Sequence, residues 1–181
     1  MEKVFIFLTS GFEEIEALAT IDILRRGYVN IQSVSLTGDR TVVGGRHISV
    51  IADCLFEEVD FTEAQMLILP GGPGTAKLNE HEGLKQELLN FARQGKLLAA
   101  ICAAPMVFGG LGLLQNRKAT CYPGYEKYLS GAYVVDVPVV VDGNVITGKA
   151  AGCTFAFAIE LLSQLKGKTV ADEVAGKFGM L

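Results

Sequence analysis

The pattern that most limits how this chain can fold is its alternation of short apolar runs with stretches of helical character about a dozen residues long. Residues 4–9, 65–69 and 97–101 form short apolar runs, and 31–36 alternates apolar with polar. Runs of this length bounded by turn residues read as strands buried in a sheet. Residues 13–26 read as a helix: it opens on glutamates, carries Arg25 and Arg26 in its last turn and stops at Gly27. Segments 84–93, 103–113, 154–165 and 170–178 read as further helices. Segment 42–51 reads as a hairpin or two short strands around Gly44-Gly45. Segments 134–141 and 145–147 read as strands joined at Asp142-Gly143-Asn144. Strands alternating with helices imply βαβ units and an α/β sandwich, a mostly parallel central sheet with helices on both faces. With 181 residues, no repeat and no linker, the pattern predicts a single domain over 1–181.

In such sheets, sites form in the crevice beyond the C-terminal strand ends. Three loops leave those ends: 9–13, 70–75 and the junction at Cys102. Composition narrows what can happen there. Half of the residues are apolar and a fifth are charged, enough to fill an interior. The net charge is -4 with no basic run, so nucleic acid is not an expected partner. Segment 97–114 is uncharged, but Pro105, Gly109, Gly110 and Gly112 divide it into a strand and a helix rather than a membrane span. No signal-peptide pattern is present, and Cys54, Cys102, Cys121 and Cys153 are scattered without a CxxC pair. A reduced, cytoplasmic setting is therefore expected. His47 and His81 lack metal-ligand spacing, so a metal is not expected.

Ala99-Ala100-Ile101-Cys102-Ala103-Ala104-Pro105 sets a cysteine between a strand and a helix, among small residues. Small neighbours allow a sharp turn that projects the side chain, the logic of a nucleophile elbow. A thiol at a helix N-terminus is expected to ionise more readily, and the Ala103 N–H would lie near an oxyanion formed on attack. The other reading of Cys102 is a small buried apolar residue. Cys54 fits that plain reading. Cys153, at a helix start, is a second candidate for a lowered pKa, and Cys121 a resolving thiol if folding brings it close.

Two further features flank the elbow. Leu69-Pro70-Gly71-Gly72-Pro73-Gly74 ends a strand with glycines whose N–H groups can approach a ligand, or form a plain turn. Glu13, Glu14 and Glu16 crowd one helical turn. Dipole compensation accounts for two of them. Glu16 lies in the direction of Ile23, inside an otherwise apolar sector. A carboxyl held there would have a raised pKa and could donate a hydrogen bond to a thiolate.

Together these residues resemble the ThiJ/PfpI superfamily, in particular its parkinsonism-associated deglycase (YajL-like) branch. The motifs are G-F-E-E-I-E-A at 11–17, I-D-I-L-R-R-G at 21–27, L-P-G-G at 69–72, A-A-I-C-A-A-P at 99–105 and A-G-C-T-F-A-F-A at 151–158. The resemblance implies a flavodoxin-like fold and a homodimer. It implies Cys102 as nucleophile, Glu16 as the protonated carboxyl against its sulfur, and Gly71, Gly72 and Ala103 as the oxyanion site. Arg46 matches an arginine that reaches toward the oxidised cysteine near the dimer interface. Members with glyoxalase-type chemistry carry a histidine before a proline downstream of the nucleophile. Here that position is Tyr122, before Pro123. Tyrosine is a poor base near neutral pH, and loss of a general base costs about 10²–10⁴-fold. Proton transfer then falls to Glu16 alone, or to Glu16 with water, or catalysis is weak.

The implied function is a cofactor-independent enzyme acting on small 2-oxoaldehydes, or on their protein adducts, in stress protection. The alternatives are a non-enzymatic redox sensor or chaperone working through oxidation of Cys102, a PfpI-like peptidase, and another small-molecule hydrolase.

Overall fold

Side chains alternate across the first strand, β1 (Lys3–Leu8). Val4, Ile6 and Leu8 join the apolar cluster on one side of the sheet, and Phe5 and Phe7 the cluster on the other. Both sets are buried, which is why the run has no polar interruption. The structure, a computed structural model, describes residues 3–180. After β1 come α1 (Glu14–Arg26), β2 (Asn30–Ser35), the hairpin β3 (Thr41–Val43) and β4 (Ser49–Ile51), and the short β5 (Cys54–Leu55). β6 (Ala64–Leu69) leads to α2 (Thr75–Glu80) and α3 (Glu82–Arg93), and β7 (Leu97–Ile101) to α4 (Pro105–Gly110). β8 (Lys118–Ala119) pairs with β9 (Tyr133–Val134). β10 (Val139–Asp142), β11 (Val145–Gly148), α5 (Thr154–Lys166) and α6 (Lys168–Lys177) follow.

The main sheet has the order β10-β11-β7-β6-β1-β2-β5. Every neighbouring pair in it is parallel except β10 with β11. α1, α5 and α6 close one apolar cluster, through Ile23, Leu24, Phe157, Leu161 and Val174. α2, α3 and α4 close the other, through Leu78, Leu84, Leu88, Val107 and Phe108. The chain leaves β1 toward β2 on one side, whereas β6 on the other side continues to β7. The order therefore reverses between β1 and β6, and the crevice beyond their C-terminal ends is where such a sheet opens a site.

Two predicted elements differ. The strand expected over 134–141 is split into β9 and β10, because Pro138 lacks the N–H a ladder needs. The helix expected over 103–113 shrinks to α4. Pro105 takes the first helical position, and the glycines at 109, 110 and 112 weaken its far end. The short α2 had no apolar periodicity to announce it.

Candidate active site

The loops after β1, β6 and β7 converge at the β1/β6 crevice. Residues 102–104 form a turn before α4, with Cys102 itself in the left-handed region at φ 66°. A non-glycine residue held there is strained, and such strain concentrates at sites that aim a side chain. The turn is pinned on both sides. The Cys102 N–H donates to Gly148 O at 2.9 Å, and the Ala104 N–H to Ile101 O at 3.1 Å.

Glu16 approaches from α1. Glu13 caps that helix by accepting the Glu16 backbone N–H at 2.7 Å, which sets Glu16 on the first turn, facing inward. Its side chain is fully buried, at 0% exposure. Oε2 accepts the Gly71 N–H at 2.7 Å. Oε1 is buried without an N–H or O–H donor, and the carboxyl's remaining interaction is with the Cys102 thiol. Burial pushes the Glu16 pKa up to about 7 against the pull of the Gly71 N–H and the thiol, and the Glu13 charge adds to the rise.

Glycine at 71 is required by close approach. A Cβ there would lie 2.8 Å from Cys102 Cβ and 2.9 Å from Glu16 Oε2. The Gly71 N–H expected at an oxyanion is instead committed to Glu16. The amides that do reach the sulfur are those of Ala103 and Gly72, and both favour the thiolate.

The expectation of a thiol acidified by its helix is corrected. α4 begins only at Pro105, and burial first, then the Glu16 carboxylate, pushes the Cys102 thiol up. Two amide N–H groups offset part of that rise. The ionisation of the thiol here is set first by burial and then by the charge of Glu16, not by a helix dipole.

Cys102 opens into a cavity of about 350 Å³ with Glu13, Glu16, Arg46, Gly72, Ala103 and Tyr122 on its wall. Arg46 sits in the β3–β4 turn. Its backbone N–H donates to buried Glu14 at 2.6 Å, and its guanidinium to Gly45 O at 3.2 Å. Among the described residues the Arg46 guanidinium makes no ion pair. Tyr122 is tied to the elbow: its N–H donates to Cys102 O at 2.7 Å.

Of the sequence-predicted site residues, Cys102, Glu16, Gly72, Ala103, Arg46 and Tyr122 line one cavity, and Gly71 lies against Cys102 and Glu16. Cys121 is buried and lines a different pocket, with Glu126, Asp136 and Lys149. Cys153 is the N-cap residue of α5, and its side chain makes no capping hydrogen bond. Tyr125 was missed, although its signal was available. Pro123-Gly124 between two tyrosines is a type II turn signature, and Gly124 has φ 93° with the Tyr125 N–H on Tyr122 O at 3.0 Å. Among the described residues no cluster of His, Cys, Asp and Glu could hold a metal ion.

A family model described as DJ-1/PfpI matches residues 2–164. The chain belongs to the DJ-1/PfpI family. Protein DJ-1 homolog B of Arabidopsis thaliana is 37% identical over 99% of this chain and 42% of its own length. The chain thus spans under half of that relative. A glutathione-independent glyoxalase of Caenorhabditis elegans is 31% identical, covering 86% of this chain and 83% of its own. A deglycase of Pyrococcus abyssi is 31% identical, over 91% and 99%. The crystal structure of a mutant DJ-1 superfamily protein from Salmonella typhimurium superposes with a TM-score of 0.95, at 35% identity and over all of both chains. The fold is accordingly the flavodoxin-like sandwich of the DJ-1/PfpI family. Among the described residues no helix is long and apolar enough to cross a membrane.

Proposed function

We propose that the protein is a cysteine-dependent, cofactor-independent enzyme acting on 2-oxoaldehydes or their protein adducts. The observation that carries this reading is the buried Glu16 carboxyl, with its pKa near 7, set against the Cys102 thiol in a cavity that admits a small carbonyl compound. The names of the glyoxalase and deglycase relatives support it.

The two groups act as one proton-sharing unit. With two protons the pair is a carboxylic acid and a thiol. Loss of one leaves a proton that resides on sulfur or on Glu16. The form with the proton on Glu16 is the reactive one, a thiolate facing an acid. Sulfur adds to the aldehyde carbon, the carbonyl π pair moves to oxygen, and Glu16 protonates that oxygen. The Ala103 and Gly72 N–H groups face the same region and stabilise negative charge there. Glu16, now a carboxylate, takes the proton from the former aldehyde carbon and returns it to the neighbouring ketone carbon. One proton passes between the two oxygens through the enediol. The resulting thioester is hydrolysed by water, which breaks the C–S bond and releases a 2-hydroxy acid and the thiol. On a hemiaminal adduct there is no carbonyl π bond at that carbon: the C–S bond forms as the C–N bond breaks, Glu16 protonates the departing amine, and the same hemithioacetal results.

The test is methylglyoxal turnover by the wild type, Cys102→Ser and Tyr122→His. Turnover lost in Cys102→Ser supports the mechanism, and an unchanged rate refutes it. A gain in Tyr122→His shows that a missing base limits the natural protein. A homodimer in the cytoplasm is the assembly and setting we propose, and analytical ultracentrifugation tests the first.

A second reading has its own support. The guanidinium of Arg46, without an ion pair among the described residues, lines the Cys102 cavity and would stabilise a sulfinate. In that case mild peroxide adds two oxygens to Cys102 selectively with no turnover of methylglyoxal. Oxidation spread evenly over the four cysteines would rule this out.

A further inference from the structure

The cavity over Cys102 is larger than a three-carbon oxoaldehyde requires. Its volume of about 350 Å³ is on the order of ten times the ~30 Å³ that a water occupies in the liquid. Methylglyoxal, with five heavy atoms, fills roughly half of it. Much of the remaining wall is aromatic. Tyr122 and Tyr125 both face this cavity, with Pro73 and Ala151 as further apolar lining.

The two rings are held rather than loose. The type II turn at Pro123-Gly124 brings them to one side, with centroids 6.3 Å apart and planes at 78°. This edge-to-face pairing leaves ring surface free for a third flat group. Tyr125 is backed in turn by Tyr128, at 5.6 Å between centroids. The Tyr122 N–H on Cys102 O fixes the distance from the wall to the nucleophile. Tyr122 is nevertheless 47% exposed, so a large aromatic surface stands uncovered beside the reactive sulfur. Arg46, on the same wall, suits the carboxylate that forms in the product.

We propose that the Tyr122–Tyr125 wall selects aryl-substituted 2-oxoaldehydes over three-carbon ones, a specificity that rests on the enzymatic reading above. The aldehyde end reaches Cys102 and the aromatic ring packs on the tyrosines. The net reaction adds one water: the aldehyde carbon is oxidised to a carboxylate, the ketone carbon is reduced to an alcohol, and no external oxidant is needed. Phenylglyoxal would give mandelate as methylglyoxal gives lactate. Tyr122 acts as a specificity surface, not as a base.

The experiment compares kcat/KM for phenylglyoxal and methylglyoxal. The wild type is expected to favour phenylglyoxal by about tenfold or more, the size of preference that stacking on aromatic rings supplies. Tyr122→Ala and Tyr125→Ala bring the ratio toward one, and Tyr122→Phe keeps it. Equal values in the wild type, or a preference that survives both alanine substitutions, overturn the proposal. If neither aldehyde turns over, the enzymatic reading fails, and the wall is judged by product binding instead. Ligand-observed NMR titration of mandelate and lactate is then expected to show mandelate bound about tenfold more tightly, or 1.4 kcal/mol, with the difference lost in Tyr122→Ala. Equal affinities overturn the aromatic subsite independently of turnover.

Discussion

Cys102 and Cys121 are separated by one backbone hydrogen bond and one residue, yet their sulfurs meet different surroundings. Cys121 is 4% exposed, and burial followed by the Glu126 charge pushes its thiol up to about 11. Cys102 is pushed up as well, by burial and then by Glu16, but two backbone N–H groups pull the other way. The decisive difference is the neighbour. Glu126 lies on the surface, where its Oε2 accepts the Gly124 N–H. Glu16 is buried and titrates near 7, so it can hold a proton that the sulfur gives up. Burial by itself makes a thiol inert. Burial shared with a carboxyl makes a proton-exchanging pair.

The largest effect that would break this contrast is on the thiols themselves. Cys102→Ser is expected to abolish methylglyoxal turnover and Cys121→Ala to retain it; equal losses in the two variants would erase the distinction. Glu16→Gln comes next, with turnover lowered by about 10²–10⁴-fold, the range for a general acid–base group. The same variant changes labelling. Above about 7 the wild-type pair has lost its first proton, so iodoacetamide labelling of Cys102 rises through that pH. In Glu16→Gln the step near 7 disappears, as a pH series read by mass spectrometry would record.

Gly71→Ala tests geometry without altering a titrating group. Its Cβ forces Cys102 and Glu16 apart, and a displacement near 1 Å costs about 10²-fold in rate. A near-normal kcat in this variant would mean that the pair tolerates misalignment. A further effect, of similar size, is on stability. The pKa of Glu16 is raised on folding from 4.5 to about 7, so the folded state binds a proton that the unfolded state has released between these values. Its contribution is complete below about 4.5 and is lost as pH rises to about 7, a decline on the order of 3 kcal/mol. Urea unfolding of the wild type across this window should show the decline, and Glu16→Gln should flatten it.

Much of the fold was legible because strands buried on both faces write themselves into short, nearly uninterrupted apolar runs. Residues 4–9, 65–69 and 97–101 became the central strands β1, β6 and β7 with small shifts at their ends. Glu16 was legible for a similar reason, as a carboxylate in an apolar sector of an otherwise ordinary helix. What escaped was short or set by distant partners. The six-residue α2 has too few turns to show a periodicity, and the break at Pro138 required knowing that a ladder ran through it. The commitment of the Gly71 N–H to Glu16 crosses 55 positions of sequence, which no local pattern records.

The sequence by itself determined the alternating layers and the loops that leave the strand ends, and through its motifs it pointed to Cys102 and Glu16. The layers follow from local periodicity, and the two candidates from residue type in a family pattern. Only the tertiary structure set the acid against the thiol, decided which amides face the sulfur, and brought Tyr122 and Tyr125 into one wall. Each of these depends on groups brought together across strands, where desolvation and distance, not residue type, set the energy. Cys102 is therefore less a thiol acidified by its helix than one half of a buried pair, and that correction was invisible until α4 was seen to start at Pro105.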